Sequence, residues 1–298
     1  MPKLLGKYQN GNYEVSIYDD GTKVRYTPEN KFVPEFAENI DIKITNKCTG
    51  TNCAYCHEGS GPCGKHGDIM SLEFVNTLKP YQEMAIGGGN VLEHPDLIPF
   101  LKKLKNNRVI ANITVNQFHF MNNLELLHQM AEENLFKGIG VSLINPDMEF
   151  IEEVSKFEHA VIHVINGIVG IDDITAMCDK NLAILILGYK RLRRGRDFQD
   201  THESGILYRQ KTLYSILPDL PNRFRVVSFD NLAIEQLDVK RLLTNVEWKE
   251  FYMGDDGNFT FYIDAVEEKF AKSSTAAMER RYPLKNDVAE MFNEIKNR

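Results

Sequence analysis

The sequence predicts an α/β fold built on a parallel sheet, either open or curled into a barrel. Six short apolar segments predict strands, and stretches with helical periodicity lie between them. Alternation of strands with helices favours parallel strands joined by crossover helices. Hydrophobic residues make up 43% and charged residues 26% of the 298-residue chain. These fractions are ordinary for a globular enzyme and allow a large core.

The first forty residues follow a different pattern. Apolar and polar residues alternate over 13–18 and again over 23–26, and an Asp-Asp-Gly-Thr turn separates the two segments. Alternation on both sides of such a turn predicts a β-hairpin. Pro28 and Pro34 then bracket a linker.

The repeating region follows, with each strand separated from the next by a helix. The predicted strands are 40–44, 84–86, 109–115, 138–143, 160–165 and 182–187. The predicted helices are 71–78, 94–104, 123–133, 147–156 and 172–179. Several of these helices begin at Ser or Asp, which are favoured at helix N-caps.

The last third of the chain has a mixed pattern. Residues 224–229 predict a seventh strand and 232–243 a helix. Residues 251–263 predict a second hairpin with Asp-Asp-Gly-Asn as its turn, and 284–296 predict a polar helix. We expect three regions: an N-terminal hairpin extension over 1–38, a (β/α) core over 39–200 and a C-terminal extension over 201–298.

Charge and hydropathy narrow the classes of function. The net charge of −7, from 35 basic and 42 acidic residues, does not favour bulk nucleic-acid binding. The first residues lack the apolar run of a secretory signal, and no stretch approaches the roughly 18 apolar residues of a membrane helix. We therefore expect a cytoplasmic protein with no membrane partner.

The cysteines are clustered. Cys48, Cys53, Cys56 and Cys63 fall within sixteen residues, whereas Cys178 stands alone as a predicted core residue. Such spacing is typical of metal or redox sites in intracellular proteins. The first three follow the first strand of the repeating region, and ligands of parallel α/β folds bind where strands end. Three thiolates suit a [4Fe–4S] cluster in which one iron remains open to a small molecule.

Structural zinc is the alternative for the same residues. Cys48, Cys53, Cys56 and Cys63, with His57 or His66 as further candidates, would form a closed tetrahedral site. The protein would then be a non-catalytic binding protein stabilised by zinc or by a cluster. A glycine run at 87–89, after the second strand, favours the cluster because zinc makes no demand there. Cys63 is either a further ligand or a spare thiol.

The cysteine loop resembles the motif of the radical S-adenosylmethionine superfamily. That motif has three cysteines after strand one, usually spaced by three and then two residues, with an aromatic residue before the third. Here Tyr55 and the two-residue gap between Cys53 and Cys56 match, whereas the gap after Cys48 has four residues. Gly50 allows the longer loop to turn.

The glycine run resembles a second element of the superfamily, a turn after strand two that takes the methionine amino group of the cofactor. It reads Gly87-Gly88-Gly89-Asn90, with Asn90 where the family often has an acid. Weaker resemblances at the ends of later strands imply further cofactor-binding residues. These are Asn116, Ser142, Asn166 and Tyr189.

The resemblance implies a fold, a reaction and partners. The fold is a partial (β/α)6 TIM-like barrel with an N-terminal β-hairpin and a mixed C-terminal extension. The reaction is reductive cleavage of S-adenosylmethionine by a [4Fe–4S] cluster, giving a 5′-deoxyadenosyl radical that abstracts hydrogen from a substrate. The substrate is an unidentified small molecule, nucleotide or peptide, and the electron donor is a protein such as flavodoxin or ferredoxin.

Two further features have two interpretations each. The basic run over 190–196 is either a solvated face or a site for a phosphate or an acidic peptide. His119 and His163 are predicted to be packing or hydrogen-bonding groups rather than metal ligands, with His119 nearer the site.

Overall fold

The computed structural model describes residues 2–51 and 53–297, which contain two sheets. The first is antiparallel and has the order β1-β2-β3, formed by Leu4–Asn10, Tyr13–Tyr18 and Lys23–Tyr26. The predicted N-terminal hairpin is confirmed as β2 and β3. β1 was not predicted; it pairs with β2 from Leu4 to Asn10, with a register shift between Leu4 and Gly6.

The second sheet has ten strands, and seven of them lie side by side in chain order, all parallel. They are β4 Asn39–Thr45, β5 Glu83–Gly88, β6 Ile110–Asn116, β7 Gly138–Ser142, β8 Ala160–Ile165, β9 Ala183–Leu187 and β10 Val226–Phe229. The six predicted strands of the repeating region are confirmed, as is the seventh. Because β10 is at one end of the strand order, the sheet is open rather than closed into a full barrel.

Helices connect these strands and continue through the C-terminal third. They are α1 Leu97–Asn106, α2 Gln117–Met121, α3 Leu124–Glu132, α4 Met148–Val154, α5 Ile171–Met177, α6 Arg194–Ile216, α7 Leu220–Arg223, α8 Asn231–Gln236, α9 Asn245–Phe251 and α10 Val288–Lys296. Short 3-10 turns occupy Glu73–Thr77, Val91–Glu93, Leu217–Asp219, Val239–Leu242 and Met278–Arg280. Within the described part of the chain, no helix is long and apolar enough to cross a bilayer.

Three predicted helices differ from the observed ones. The segment 71–78 contains only a 3-10 turn, and 232–243 divides into α8 and a 3-10 turn. The helix predicted as polar over 284–296 begins later, at Val288, and is amphipathic. Its buried residues Val288, Met291, Phe292 and Ile295 recur at helical spacing and form one apolar face.

The hairpin predicted over 251–263 is wrong. Phe251 ends α9, whose start is fixed by a reciprocal capping box between Thr244 and Glu247. Only β11, Thr260–Asp264, is a strand in that segment, and it pairs in parallel with β4. Its antiparallel partner comes later in the chain, as β12, Lys269–Ala271, which in turn pairs with β13, Tyr282–Pro283.

The large sheet has an apolar face and a polar face, as β6 illustrates. Ala111, Ile113 and Val115 are buried in the hydrophobic core, whereas Asn112 and the other residues between them are only partly buried. Successive side chains of a strand point to opposite faces, so the polar residues of β6 share one side of the sheet. The helices bury their apolar residues in the core, and the polar side remains open for a site.

Candidate functional site

A cleft lies at the carboxyl end of the parallel strands, where the loop after β4 meets the ends of β5 to β9. Its volume is about 160 Å³, and we call it the cysteine cleft. Most of the predicted site residues line it: Cys48, Cys53, Tyr55, Cys56, Gly88, Gly89, Asn116, Ser142 and Tyr189. Gly87, Asn90 and Asn166 are outside the lining.

The cysteine loop leaves β4 and folds back on itself. The backbone N–H of Cys48 donates to Gly61 O at 2.9 Å, and that of Cys56 donates to Cys53 O at 3.1 Å. Gly50 has φ of +77°, a conformation that favours glycine, and a Cβ there would meet the Phe118 ring at 2.6 Å. The loop therefore needs glycine at this position both for its turn and for its packing.

The three thiols lie in a partly buried, polar environment. Burial, and after it the charges of Cys53 and Glu93, raises the pKa of Cys48 to about 11. Cys48 Sγ lies 3.4 Å from His119 Nε2. Cys53 Sγ lies 3.7 Å from the amide nitrogen of Asn116, whose Oδ1 caps α2. A bound cation would stabilise the thiolates, which are the metal-binding form of cysteine.

Two arginines of the basic run hold the cysteine loop. Arg194 donates from Nε to Cys53 O at 3.1 Å and from Nη2 to Ser60 O at 2.9 Å. Arg193 Nη1 donates to Glu58 O at 2.5 Å and lies 3.3 Å from its carboxylate. This part of the basic run therefore binds the cysteine loop, a role that neither interpretation of the run predicted.

A buried ion-pair network lies beneath the loop. Lys43 Nζ, only 3% exposed, lies 3.3 Å from Glu58 Oε2 and 3.1 Å from Asp264 Oδ2 of β11. Burial raises the pKa of Glu58, but the hydrogen bond and charge of His57, with Lys43 and Arg193, outweigh it and hold that pKa below its usual range. The loop is therefore tied by charge to two strands of the sheet.

The glycine turn packs against the start of the cysteine loop. Gly89 N–H donates to Thr45 O at 2.7 Å and Asn90 N–H donates to Lys47 O at 2.8 Å. Glu93, in the 3-10 turn that follows, accepts from the Thr49 N–H at 2.8 Å and from the Asn90 amide at 2.9 Å. The two elements that the sequence analysis singled out separately thus form one hydrogen-bonded unit.

The later predicted residues divide between the cleft and its wall. Ser142 ends β7 in the cleft lining, and Tyr189 also lines it while donating from its hydroxyl to Gly195 O at 2.7 Å. Asn166 is fully buried behind the cleft and donates to Gln236 Oε1 at 3.0 Å. The same oxygen accepts from the Tyr189 N–H at 2.9 Å, so Asn166 reaches the cleft through Gln236.

Solved structures share this fold. The chain matches SuiB of Streptococcus suis bound to S-adenosylmethionine with a TM-score of 0.57 and 12% identity, over 87% of this chain and 64% of that one. It matches SuiB bound to the precursor peptide SuiA with a TM-score of 0.54 and 13% identity, over 80% and 60%. A third SuiB structure gives 0.55 and 10%, over 89% and 81%.

The likeness shows the fold. Identities of 10 to 13% carry no residue correspondence, and the chain spans less than two thirds of the SuiB chains in the two liganded structures. No family model and no curated protein sequence matches the chain. The fold class predicted from the sequence is confirmed: a mixed α/β protein with a mostly parallel, incompletely closed sheet.

The candidate zinc ligands do not meet at one point. Cys63 is exposed and outside the cleft lining, and His66 lies 2.9 Å from Thr45 Oγ1 and packs against His94. His57 does line the cleft. Among residues 2–51 and 53–297, no three Cys, His, Asp or Glu side chains form a group that could hold a single metal ion.

Several cleft residues were not predicted as part of the site. His163 and Lys190 line the cleft, as do Thr51, Thr114 and Arg194. Burial, and after it the charge of Lys190, lowers the pKa of His163 to about 4, so its ring is neutral at pH 7. Position at or near the end of a strand was the available signal for Thr114 and His163, whereas Lys190 and Arg194 belong to the basic run over 190–196.

Proposed function

We propose that this protein is a radical S-adenosylmethionine enzyme in which Cys48, Cys53 and Cys56 hold a [4Fe–4S] cluster. The observation that carries the proposal is the meeting of these three cysteines with the glycine turn at the carboxyl end of a parallel, open sheet. The likeness in fold to SuiB, which has been solved with S-adenosylmethionine bound, supports the same reading.

The donor set fits such a cluster. Three thiols share one cleft, while the fourth cysteine of the segment, Cys63, is exposed outside it. Three protein ligands leave one iron open, whereas a closed zinc site needs four. This favours the cluster over structural zinc, and the enzyme over a non-catalytic binding protein.

The bound cluster and cofactor would supply the hard chemistry, in which one electron breaks a sulfur–carbon bond of S-adenosylmethionine and the resulting 5′-deoxyadenosyl radical removes hydrogen from the substrate. The protein would bind the cluster and the cofactor and orient them. Backbone carbonyls of the glycine turn at 87–90, of which Gly88 and Gly89 line the cleft, would accept from the methionine ammonium, and the Ser142 hydroxyl would bind the carboxylate or ribose. Asn116 steadies Cys53 by its amide contact.

The adenine end of the cofactor is assigned to Tyr189 and Tyr55. Tyr189 is held at its hydroxyl by Gly195 and at its backbone by Gln236, to which Asn166 also donates. Tyr55 lines the cleft and makes an edge contact with Phe198 at 5.8 Å between ring centroids. Rings fixed in this way orient a planar base and exclude water from the cleft.

The proposal extends to the partners. An external reductant such as flavodoxin or ferredoxin is needed to deliver the electron. The substrate is a small molecule, a nucleotide or a peptide, and a peptide is favoured by the SuiB structure that contains the precursor peptide SuiA. The cytoplasmic location stays a prediction, as does the division of the chain into regions 1–38, 39–200 and 201–298.

The test is release of 5′-deoxyadenosine by anaerobically purified protein given dithionite and S-adenosylmethionine. We expect about four irons per chain with matching sulfide, and product formation that Cys53→Ala abolishes. Cys63→Ala is the matched control, because it removes an exposed thiol outside the cleft, and it should retain activity. Stoichiometric zinc in the wild type, or no product from iron-loaded protein, would contradict the proposal.

A further inference from the structure

His119 lies between the cysteine loop and the glycine turn. It belongs to α2, directly after β6, and is only 4% exposed. Each ring nitrogen has one neighbour: Nε2 lies 3.4 Å from Cys48 Sγ, and Nδ1 lies 3.2 Å from the side-chain nitrogen of Asn90. The ring therefore connects a candidate cluster ligand to the turn that the resemblance assigns to the cofactor.

The orientation of the Asn90 amide is fixed by its other partners. Its Oδ1 accepts from the Leu92 N–H at 3.2 Å, and its Nδ2 lies 2.9 Å from Glu93 Oε1. A backbone N–H can only donate and an ionised carboxylate can only accept, so the amide cannot be reversed without losing both contacts. It is consequently the amide nitrogen, a donor, that faces His119.

This orientation determines where His119 carries its proton. A neutral imidazole has one nitrogen that donates and one that accepts. Because Nδ1 faces an N–H donor, Nδ1 accepts, and the ring proton is on Nε2, pointing at Cys48 Sγ.

We propose that His119 is a positioning residue that donates a hydrogen bond from Nε2 to the Cys48 thiolate and thereby raises the reduction potential of the cluster. The inference rests on the proposed function, since it concerns the same site. Hydrogen bonds to ligand sulfurs are among the determinants of iron–sulfur potentials. A donor to the thiolate stabilises the more negative, reduced cluster more than the oxidised one, because the bond strengthens with the charge it meets.

The same geometry favours an amide over a carboxylate at position 90. A carboxylate there would accept from the ring, so the proton would be drawn to Nδ1 and away from Cys48. It would also add a charge beside Glu93, whose carboxylate already holds the Asn90 amide. An amide at position 90 thus keeps the ring proton of His119 on Nε2.

The first experiment is a redox titration of the reconstituted full chain, followed by electron paramagnetic resonance of the reduced cluster. His119→Leu removes the donor and should lower the equilibrium constant for one-electron reduction roughly tenfold, which is about 59 mV. His119→Gln keeps an N–H near the position of Nε2 and should remain within about threefold of the wild type. His128→Leu on α3, outside the cleft, is the control and should leave the potential unchanged.

The outcomes separate this inference from the proposed function. A wild-type chain that assembles no [4Fe–4S] cluster overturns both. A cluster whose potential is the same in the wild type and in His119→Leu overturns the role of His119 alone. If the Leu variant loses the cluster while the Gln variant keeps it, the requirement for a donor is supported.

A second measurement covers the case in which neither variant binds iron. The nitrogen chemical shifts of labelled His119 in the wild-type protein report which ring nitrogen carries the proton. The inference requires a protonated Nε2 and a bare Nδ1. The reverse pattern contradicts it, whatever the variants do.

Discussion

Gly88 and Gly89 are constrained by the backbone that they contact. Gly88 has φ of +122°, and a Cβ there would collide with the carbonyl oxygen of Thr45. A Cβ on Gly89 would collide with the carbonyl oxygen of Lys47. Gly87 differs, because the nearest atom to its Cβ position is Thr114 Cβ at 4.0 Å. Packing therefore requires glycine at positions 88 and 89, whereas Gly87 has room for a methyl group.

This difference gives a prediction for two alanine variants. Gly89→Ala should push the turn off the start of the cysteine loop, lowering stability by about 1–3 kcal/mol and reducing iron content. Gly87→Ala should keep its stability within about 0.5 kcal/mol and its iron, because a methyl group fits there. Thermal unfolding and iron analysis measure these effects, and equal destabilisation of both variants would contradict the packing account.

At the residue scale the sequence could predict only what carries a local pattern. The spacing of Cys53 and Cys56 and the run at 87–89 are recognisable within a few positions. No local pattern marks the pairing of Arg194 with Cys53 O, because the two residues are 141 positions apart. Lone residues of this kind become part of a site only through tertiary contacts, which a single sequence does not reveal.

The N-terminal sheet is tied to the large sheet by one buried carboxylate. Glu38 lies just before β4, and its side chain is 1% exposed. It accepts from the Tyr13 hydroxyl at 2.7 Å and from Arg25 Nη2 of β3 at 2.7 Å. Burial raises the pKa of Glu38, but the Arg25 hydrogen bond and charge outweigh it and hold that pKa below its usual range.

Removing the arginine should therefore destabilise the protein. Arg25→Met removes the guanidinium that donates to this buried carboxylate and leaves only Lys23 Nζ, 3.9 Å from Glu38 Oε2, as a nearby cation. We expect a loss of about 3 kcal/mol in the free energy of unfolding at pH 7. The contribution of the pair is complete above the unfolded pKa of Glu, about 4.3, and is lost as the pH falls through the lower folded pKa. The difference between wild type and variant should thus shrink below about pH 4.

The control for this prediction is Lys7→Met, which breaks the exposed Lys7–Glu14 pair in the same sheet. Denaturant unfolding of the three proteins at several pH values tests the account. A Lys7→Met variant as unstable as Arg25→Met would mean that burial does not decide the effect, since exposed pairs contribute little.

At the scale of elements, the strands of the repeating region were predictable because their apolar runs are continuous or strictly alternating. The hairpin over 251–263 failed for a related reason. Its aromatic residues fit a strand pattern, but the capping box at Thr244 and Glu247 begins a helix that extends to Phe251. The cap was visible in the sequence and outweighed the alternation.

At the scale of the whole molecule, pairing with β11 places β4 inside the large sheet. Without β11, β4 would be an edge strand of the large sheet. Asp264 of β11 lies 3.1 Å from Lys43 and 3.7 Å from Arg281, and its side chain is 1% exposed. The contact between Lys43 and Asp264 spans 221 positions, a distance at which no sequence pattern predicts pairing.

Asp264→Ala should weaken both the fold and the candidate site. The variant leaves Lys43 and Arg281 without a shared buried carboxylate, and we expect a loss of about 3 kcal/mol in stability together with lower iron retention. Asp179→Asn is the matched control, because it removes the charge from an Asp–Arg pair with Arg223 that is exposed to solvent, and asparagine tolerates the positive φ of this position. It should change neither thermal unfolding nor iron content, and equal losses in both variants would sink the account.

The parallel pairing of β4 with β11 also orders events in time. During synthesis Cys48, Cys53 and Cys56 emerge long before Thr260–Asp264, so β4, the strand that precedes them, has one side unpaired until β11 is made. Such non-local pairing is intrinsically slow to form. Thiols held in an unfinished chain are open to oxidation. Loading of the metal is therefore expected only after β11 has been synthesised and has paired with β4.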